Sequence, residues 1–224
     1  MSTDQQESDG ATRVANITSR RRIVTVLFDG FELLDVFGPL ELYGVLSDHF
    51  QISLIGPQPG PVMSSQGPAA HADHAYHDAP RPDIVLVPGG MGTRALAQDQ
   101  AWLQWLADWS TPAELITSVC TGSALLAAAG LLDGYRATSN KRAFVWAAAQ
   151  GPDVEWIPTA RWVEDRNRWT SSGVAAGMDM TLAIISRLHG SELANTLADA
   201  VEYDPHTDAA WDPYAEKSGL TGSD

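Results

Sequence analysis

Apolar positions along this chain follow two rhythms. Ile23 to Phe28 (IVTVLF) is a continuous β-branched run, the pattern of a strand buried on both faces of a parallel sheet. Gln51 to Ile55 (QISLI), Asp83 to Pro88 (DIVLVP) and Glu114 to Val119 (ELITSV) repeat it. Between these runs the spacing turns helical. GPLELYGVL follows the first strand, with Pro39 suited to a first helical turn. Ala101 to Trp109 places Trp102, Trp105 and Trp109 on one face. Ser123 to Ala129, Lys141 to Gln150, Met178 to His189 and Glu192 to Val201 also read as helices. Arg161 to Glu164 and Arg168 to Ser171 alternate around Asp165-Arg166-Asn167, a hairpin signal.

Strands alternating with helices predict an α/β fold: a doubly wound, mainly parallel sheet flanked by helices. Residues 56–80 are rich in Pro, Gly and His and predict a loop with a small β-hairpin. The expected organisation is a single domain over residues 22–203. A polar lead-in, residues 1–21, is expected to be disordered. An irregular acidic tail, residues 204–224, is expected to pack through Trp211 and Tyr214.

Composition narrows the function. The 224 residues are 44% hydrophobic, enough for one α/β core. A net charge of −14 argues against nucleic-acid or anionic-membrane partners, which require a basic surface. The chain has a single Cys and so no intrachain disulfide, which fits a reducing compartment and a cytoplasmic location. No apolar run approaches the ~18 residues of a membrane span, and the N-terminus has no signal-like apolar stretch.

Ligands of open parallel sheets bind beyond the carboxyl ends of the strands. Three loops there have unusual composition: DGFELLDVFGPLE, Pro88-Gly89-Gly90-Met91-Gly92 and Cys120-Thr121-Gly122. If the strands are neighbours, the loops share one crevice. Ser118-x-Cys120-x-Gly122 is a partial nucleophile elbow, a tight strand-to-helix turn carrying a nucleophile. A helix N-terminus there would lower the Cys120 pKa; a buried cysteine at a strand end fits the local pattern equally well. Gly89 and Gly90 would lend free N–H groups to an oxyanion hole with the Thr121 amide, or simply form a tight turn. Asp35, among Leu33, Leu34, Val36 and Phe37, would have a raised pKa suited to acid–base work, or would cap the helix containing Pro39. Glu41 is a second acid nearby. His71, His74 and His77 are spaced by three, but the segment reads as loop or strand with no Cys, so no metal site is expected. No His stands where a Cys–His dyad needs one, which leaves a carboxyl as partner.

These residues carry a family resemblance. FDGFELLDVFGPLE, DIVLVPGGMGTRAL, ITSVCTGSALLAAAGLLDGYRATSNKRAF and WTSSGVAAGMDMTLAII resemble the ThiJ/PfpI family of the class I glutamine-amidotransferase-like superfamily, over about Arg22 to Tyr214. The resemblance implies a flavodoxin-like fold and a homodimer. It implies Cys120 as nucleophile, Asp35 as acid/base and Thr121 as support. It also implies an oxyanion hole from the Gly90 and Thr121 amides, with Gly89, Asn140, Ser172 and Gly173 binding substrate.

Within the family, D-x-x-G-P-x-E paired with V-C-T-G is most similar to isonitrile hydratases. That implies cofactor-free addition of water to a small isonitrile. Many relatives place a His after the A-T-[ST] motif; here Ala137-Thr138-Ser139 leads into Asn140 and Lys141, so a Cys-His-acid triad is not expected. Asn140 would cap the following helix or orient a substrate. Competing expectations are a glyoxalase-type or other lyase, with Phe31, Phe37 and Trp146 lining a larger pocket, or an oxidant- or ligand-sensing dimer. Regulators of the family add a helix-turn-helix domain, for which this chain ends too soon and has the wrong charge.

Overall fold

The computed structural model describes residues 20–221, so nearly all of the expected lead-in lies outside the described residues. Arg21 and Arg22 are already inside the first strand. The strands are β1 (Arg21–Val26), β2 (Phe50–Gly56), β3 (Gly60–Met63), β4 (Ala69–Ala72), β5 (His74–Ala75), β6 (Ile84–Val87), β7 (Leu115–Val119), β8 (Arg136–Ala137), β9 (Glu155–Trp156), β10 (Trp162–Asp165) and β11 (Arg168–Ser171). The main sheet has the order β10-β11-β7-β6-β1-β2-β5. Every pairing in it is parallel except the β10–β11 hairpin at one edge. β3 and β4 form the small antiparallel hairpin expected between the second and third apolar runs.

The continuous apolar runs become the central strands because helices cover both faces. All residues of β6 and β7 are buried, as are Ile23, Val24 and Val26 of β1. Each such side chain contributes roughly 1.5–3 kcal/mol when fully removed from water. The helices are α1 (Leu33–Val45), α2 (Thr93–Leu96), α3 (Gln100–Ser110), α4 (Gly122–Ala128), α5 (Phe144–Ala148), α6 (Ala176–His189), α7 (Ser191–Ala200) and α8 (Pro213–Lys217). α1 packs against α6, and α6 against α7, while α4 lies on β6 and β7 beside α2, α3 and α5. The indoles of Trp105 and Trp109 stack on α3, with ring centroids 5.3 Å apart.

Three elements differ from the sequence reading. Pro39 lies in the interior of α1, not in its first turn, because the helix begins at Leu33. Its missing N–H leaves the Asp35 carbonyl without an intrahelical donor. The helix expected from Lys141 to Gln150 breaks into a 3-10 turn at Lys141–Ala143 followed by α5. The tail is less irregular than expected, since it contains α8. Trp211 and Tyr214 are half exposed, and the tail is instead anchored by the buried Asp212 and Ala215. Upstream of α8, Asp179 of α6 accepts from the Tyr203 hydroxyl at 2.6 Å and the His206 N–H at 2.9 Å.

β1 is flanked by β2 on one side and β6 on the other, so the chain reverses its winding between β1 and β6. This is the topological switch point at which doubly wound sheets bind ligands. The loops after β1, β6 and β7 meet there.

Candidate active site

The site is built outward from Cys120. β7 ends at Val119 and α4 begins at Gly122, leaving two residues to turn the chain. Cys120 makes the turn with φ +58°, a left-handed conformation costing a non-glycine residue about 1–3 kcal/mol. Its N–H is shared between the carbonyls of Ser171 (3.1 Å) and Ser172 (3.2 Å), and its own carbonyl accepts from the Ser123 and Ser139 hydroxyls. Gly122 is required because a Cβ there would stand 2.1 Å from the Val87 carbonyl oxygen. The elbow read from Ser118-x-Cys120-x-Gly122 is therefore present in geometry as well as pattern.

Asp35 faces this turn from α1 and is fully buried. It does not cap its own helix: the Gly89 N–H donates to its Oδ2 at 2.8 Å, and Glu32 occupies the cap position. Its Oδ1 has no well-formed hydrogen bond. The Cys120 thiol lies close enough to act on this carboxyl, and catalytic contacts of this kind often tighten only when substrate binds. Burial pushes the Asp35 pKa well up, against the Gly89 N–H, and Glu32 adds to the rise. Burial thus favours the protonated form of this acid, and the raised pKa is the direction its apolar neighbours predicted.

The expectation of a lowered thiol pKa is not met. Burial pushes Cys120 well above its ordinary value, and Asp35 pushes the same way. The Thr121 N–H and hydroxyl and the Asn140 side chain oppose this without overcoming it. Desolvation of a 7% exposed sulfur outweighs the partial charge of a seven-residue helix. Burial thus pushes both members of the pair toward their neutral forms.

The N–H groups expected to be free in the Gly-Gly loop are occupied. Gly89 donates to Asp35, and Gly90 donates to Thr121 Oγ1 at 3.1 Å. The Thr121 N–H is directed at the sulfur. Asn140 takes the capping role, its Oδ1 accepting from the Ala143 N–H at 3.1 Å, and its side chain also acts on Cys120, a contact not foreseen for it. Gly173 closes the far side, where a Cβ would lie 2.9 Å from Sγ and 2.3 Å from Asn140 Nδ2. Ser172 contributes through its backbone, with its carbonyl on the Cys120 N–H.

Cys120, Thr121, Gly90 and Asn140 open onto a cavity of about 510 Å³ that is also lined by Glu32, Arg94 and Arg142. These last three were not expected from the sequence; Arg94 stands within GGMGTRAL, but no spacing ties it, Glu32 or Arg142 to the cysteine. No histidine lines this cavity. His49 and His189 contact each other near the amino ends of β1 and β2, away from Cys120. His71 and His74 lie on β4 and β5, and His77 in the turn after them. Glu41 borders a different cavity, beside Met178 and Tyr203. Of the aromatic residues expected to line a larger pocket, Phe31 is in the core, Phe37 is exposed, and Trp146 lies beneath Arg94.

A cysteine in a left-handed turn between strand and helix, at the carboxyl edge of a doubly wound, mainly parallel sheet, defines the class of α/β protein. The chain belongs to the DJ-1/PfpI family, whose pattern matches residues 21–187. It is 36% identical over 182 residues to an isonitrile hydratase of Pseudomonas putida, covering 80% of this chain and 77% of that protein. It is 34% identical to the HTH-type transcriptional regulator GbdR of Pseudomonas aeruginosa, covering 80% of this chain but only 50% of the regulator. A ThiJ/PfpI family protein from Pseudomonas syringae shares the structure with a TM-score of 0.77 and 33% identity, covering 91% of this chain and 83% of that one. No helix among the described residues is long and apolar enough to cross a membrane.

Proposed function

We propose that the protein is a cofactor-free hydratase that converts a small isonitrile, R–N≡C, and water into the N-substituted formamide. The observation that carries this reading is Cys120 at the elbow, backed by the fully buried acid Asp35 and facing a cavity with no histidine in its lining. The terminal carbon of an isonitrile accepts both a proton and a nucleophile. Asp35 gives that carbon its proton, the sulfur bonds to it, and the thiol proton returns to Asp35. The product is a thioimidate, Cys–S–CH=N–R, with the acid restored.

The same acid then protonates the nitrogen and, as carboxylate, takes a proton from the attacking water. The tetrahedral S–CH(OH)–NH–R collapses as the hydroxyl proton moves through Asp35 to the departing sulfur. Formamide leaves, and thiol and acid are regenerated. An acid with a raised pKa is suited to every one of these transfers. A neutral resting thiol is no obstacle, because its proton is consumed in the first step. Thr121 and Asn140 steady the sulfur while it carries charge.

Oxidant sensing requires an accessible thiol of low pKa, and burial takes Cys120 in the other direction. A small-molecule substrate, a homodimer and a cytoplasmic setting belong to the same proposal. Incubation with cyclohexyl isocyanide tests it: the purified protein is expected to release N-cyclohexylformamide, and Cys120→Ala is expected to fall to background. Formamide no faster from the wild type than from Cys120→Ala refutes it.

A further inference from the structure

The chain has 14 basic residues against 28 acidic ones. Five of the basic residues nevertheless line two adjoining cavities at the elbow. Arg94 and Arg142 line the cavity that holds Cys120. Lys141, Arg142, Arg161 and Lys217 line a second cavity of about 540 Å³, which has no acidic residue in its lining. Asn140, Arg142 and Val174 border both spaces, so the two adjoin along that ridge.

Two of the five charges are committed elsewhere. Arg161 is paired with buried Asp179 at 2.6 Å. Lys141 is buried and donates to Thr138 Oγ1 and the Ala160 carbonyl. Arg94, Arg142 and Lys217 have no carboxylate ion pair among the described residues. Of the acids near Cys120, burial pushes the Asp35 pKa well up, and Glu32, which accepts from Gln66 Nε2 at 2.7 Å, sets one carboxylate in the first cavity against the guanidinium groups of Arg94 and Arg142. The elbow is thus a positive recess in an acidic molecule, and a recess of one sign concentrates ligands of the other.

Arg94 is also fixed in place. Its guanidinium carbon lies 4.1 Å over the Trp146 ring, and Nη1 donates to Thr93 Oγ1 at 3.1 Å. Thr93 Oγ1 in turn donates to Thr121 Oγ1 at 3.2 Å, the residue after the nucleophile. A planar cation stacked and hydrogen-bonded in this way is organised in advance to receive a carboxylate.

We infer that the substrate is an organic anion, whose reactive carbon reaches Cys120 while its carboxylate is held by Arg94 and Arg142, with Lys217 serving longer molecules. The inference deepens the hydratase reading by naming the substrate class, an isocyano carboxylate hydrated to its N-formyl counterpart. Cyclohexyl isocyanide is then a neutral surrogate.

Two measurements on the full chain test this separately from the hydratase reading. The first compares alkylation of Cys120 by iodoacetate and by iodoacetamide; in both the sulfur–carbon bond forms as iodide leaves and the thiol proton goes to solvent. The iodoacetate-to-iodoacetamide rate ratio is expected to exceed that of N-acetylcysteine by about tenfold, as for steering by a positive recess. It is expected to fall severalfold in Arg94→Gln and Arg142→Gln, and to hold in Arg187→Gln, which alters an exposed surface charge. The second compares hydration of isocyanoacetate with that of its methyl ester, with kcat/KM expected to favour the acid.

A ratio equal to that of N-acetylcysteine, with no effect of Arg94→Gln or Arg142→Gln, overturns the inference even if the ester is hydrated. An iodoacetate preference with neither isonitrile consumed supports the anion site and overturns the hydratase reading. A cysteine inert to both reagents, with neither isonitrile consumed, overturns both.

Discussion

The aromatic ladder on α3 and the elbow after β7 lie in one sheet-centred fold, yet they obey different rules. On α3, Trp102, Trp105 and Trp109 recur at helical spacing and pack with Tyr76. Trp105 and Trp109 donate from their indole N–H groups to the carbonyls of Tyr76 and Pro80. At the elbow a cysteine takes a left-handed backbone and burial pushes the pKa of both Asp35 and Cys120 well up; a buried polar atom without a well-formed bond is common to both regions, at Asp35 Oδ1 and at the Trp102 indole nitrogen. Local consistency marks structure, and its local violation marks the place where chemistry is expected. Stability and activity should therefore separate between the two regions.

The largest expected effect is at the elbow. Cys120→Ala should reduce isonitrile hydration by about 10³-fold or more, measured as formamide release, with the folded CD spectrum retained. Asp35→Asn should reduce kcat by about 10²–10⁴-fold while raising thermal stability. A carboxyl whose folded pKa is raised gives stability that is present below its ordinary pKa and lost as pH rises toward the folded value. Asparagine cannot ionise, so the variant should keep that stability at neutral pH and gain about 2–4 °C in Tm for each kcal/mol. A lower Tm for Asp35→Asn would remove the contrast between the two regions.

Trp105→Ala should show the opposite pattern. It should cost about 3 kcal/mol, read by urea denaturation, with kcat unchanged. A loss of activity matching that of Asp35→Asn would mean that the ladder shapes the site. The smallest effect concerns Lys141, whose pKa burial lowers to about 8. Below that value it is charged in both states. Above it the folded protein sheds the proton first, so stability should rise with pH. The slope is on the order of 1 kcal/mol per pH unit above about pH 8. Ionisation of the unfolded cysteine at about pH 8.5 opposes it, because burial raises the folded Cys120 pKa. The Lys141 contribution is therefore the difference from Lys141→Met. Lys141→Met should lack that rise in Tm measured across the same range.

The ladder and the sheet were legible because each depends on periodicity within one segment. IVTVLF, DIVLVP and ELITSV became the three central strands with boundaries shifted by a residue or two. The convergence of Asp35, Gly89 and Cys120 followed from strand adjacency, which the parallel pattern implied. The protonation state of Cys120 was not legible. A helix N-terminus and burial act on a thiol in opposite directions, and only the packing of Asp35, Asn140 and Gly173 around the sulfur fixes the result. The docking of the tail was hidden for a similar reason. Trp211 and Tyr214 looked like anchors by size, whereas the residues that become buried are Asp212, which accepts from the Tyr214 N–H to cap α8, and Ala215. The cations around the elbow come from α2, the 3-10 turn, the residue before β10 and α8, four segments that no spacing rule connects.

Peptide-resolved mass spectrometry of the wild-type protein, acid-quenched during turnover of cyclohexyl isocyanide, tests the covalent step itself. The account predicts an adduct heavier by one isonitrile on the peptide carrying Cys120, and none after Cys120→Ala. Formamide accumulating at saturating isonitrile with that peptide unmodified throughout, or formed at the wild-type rate by Cys120→Ala, would contradict it.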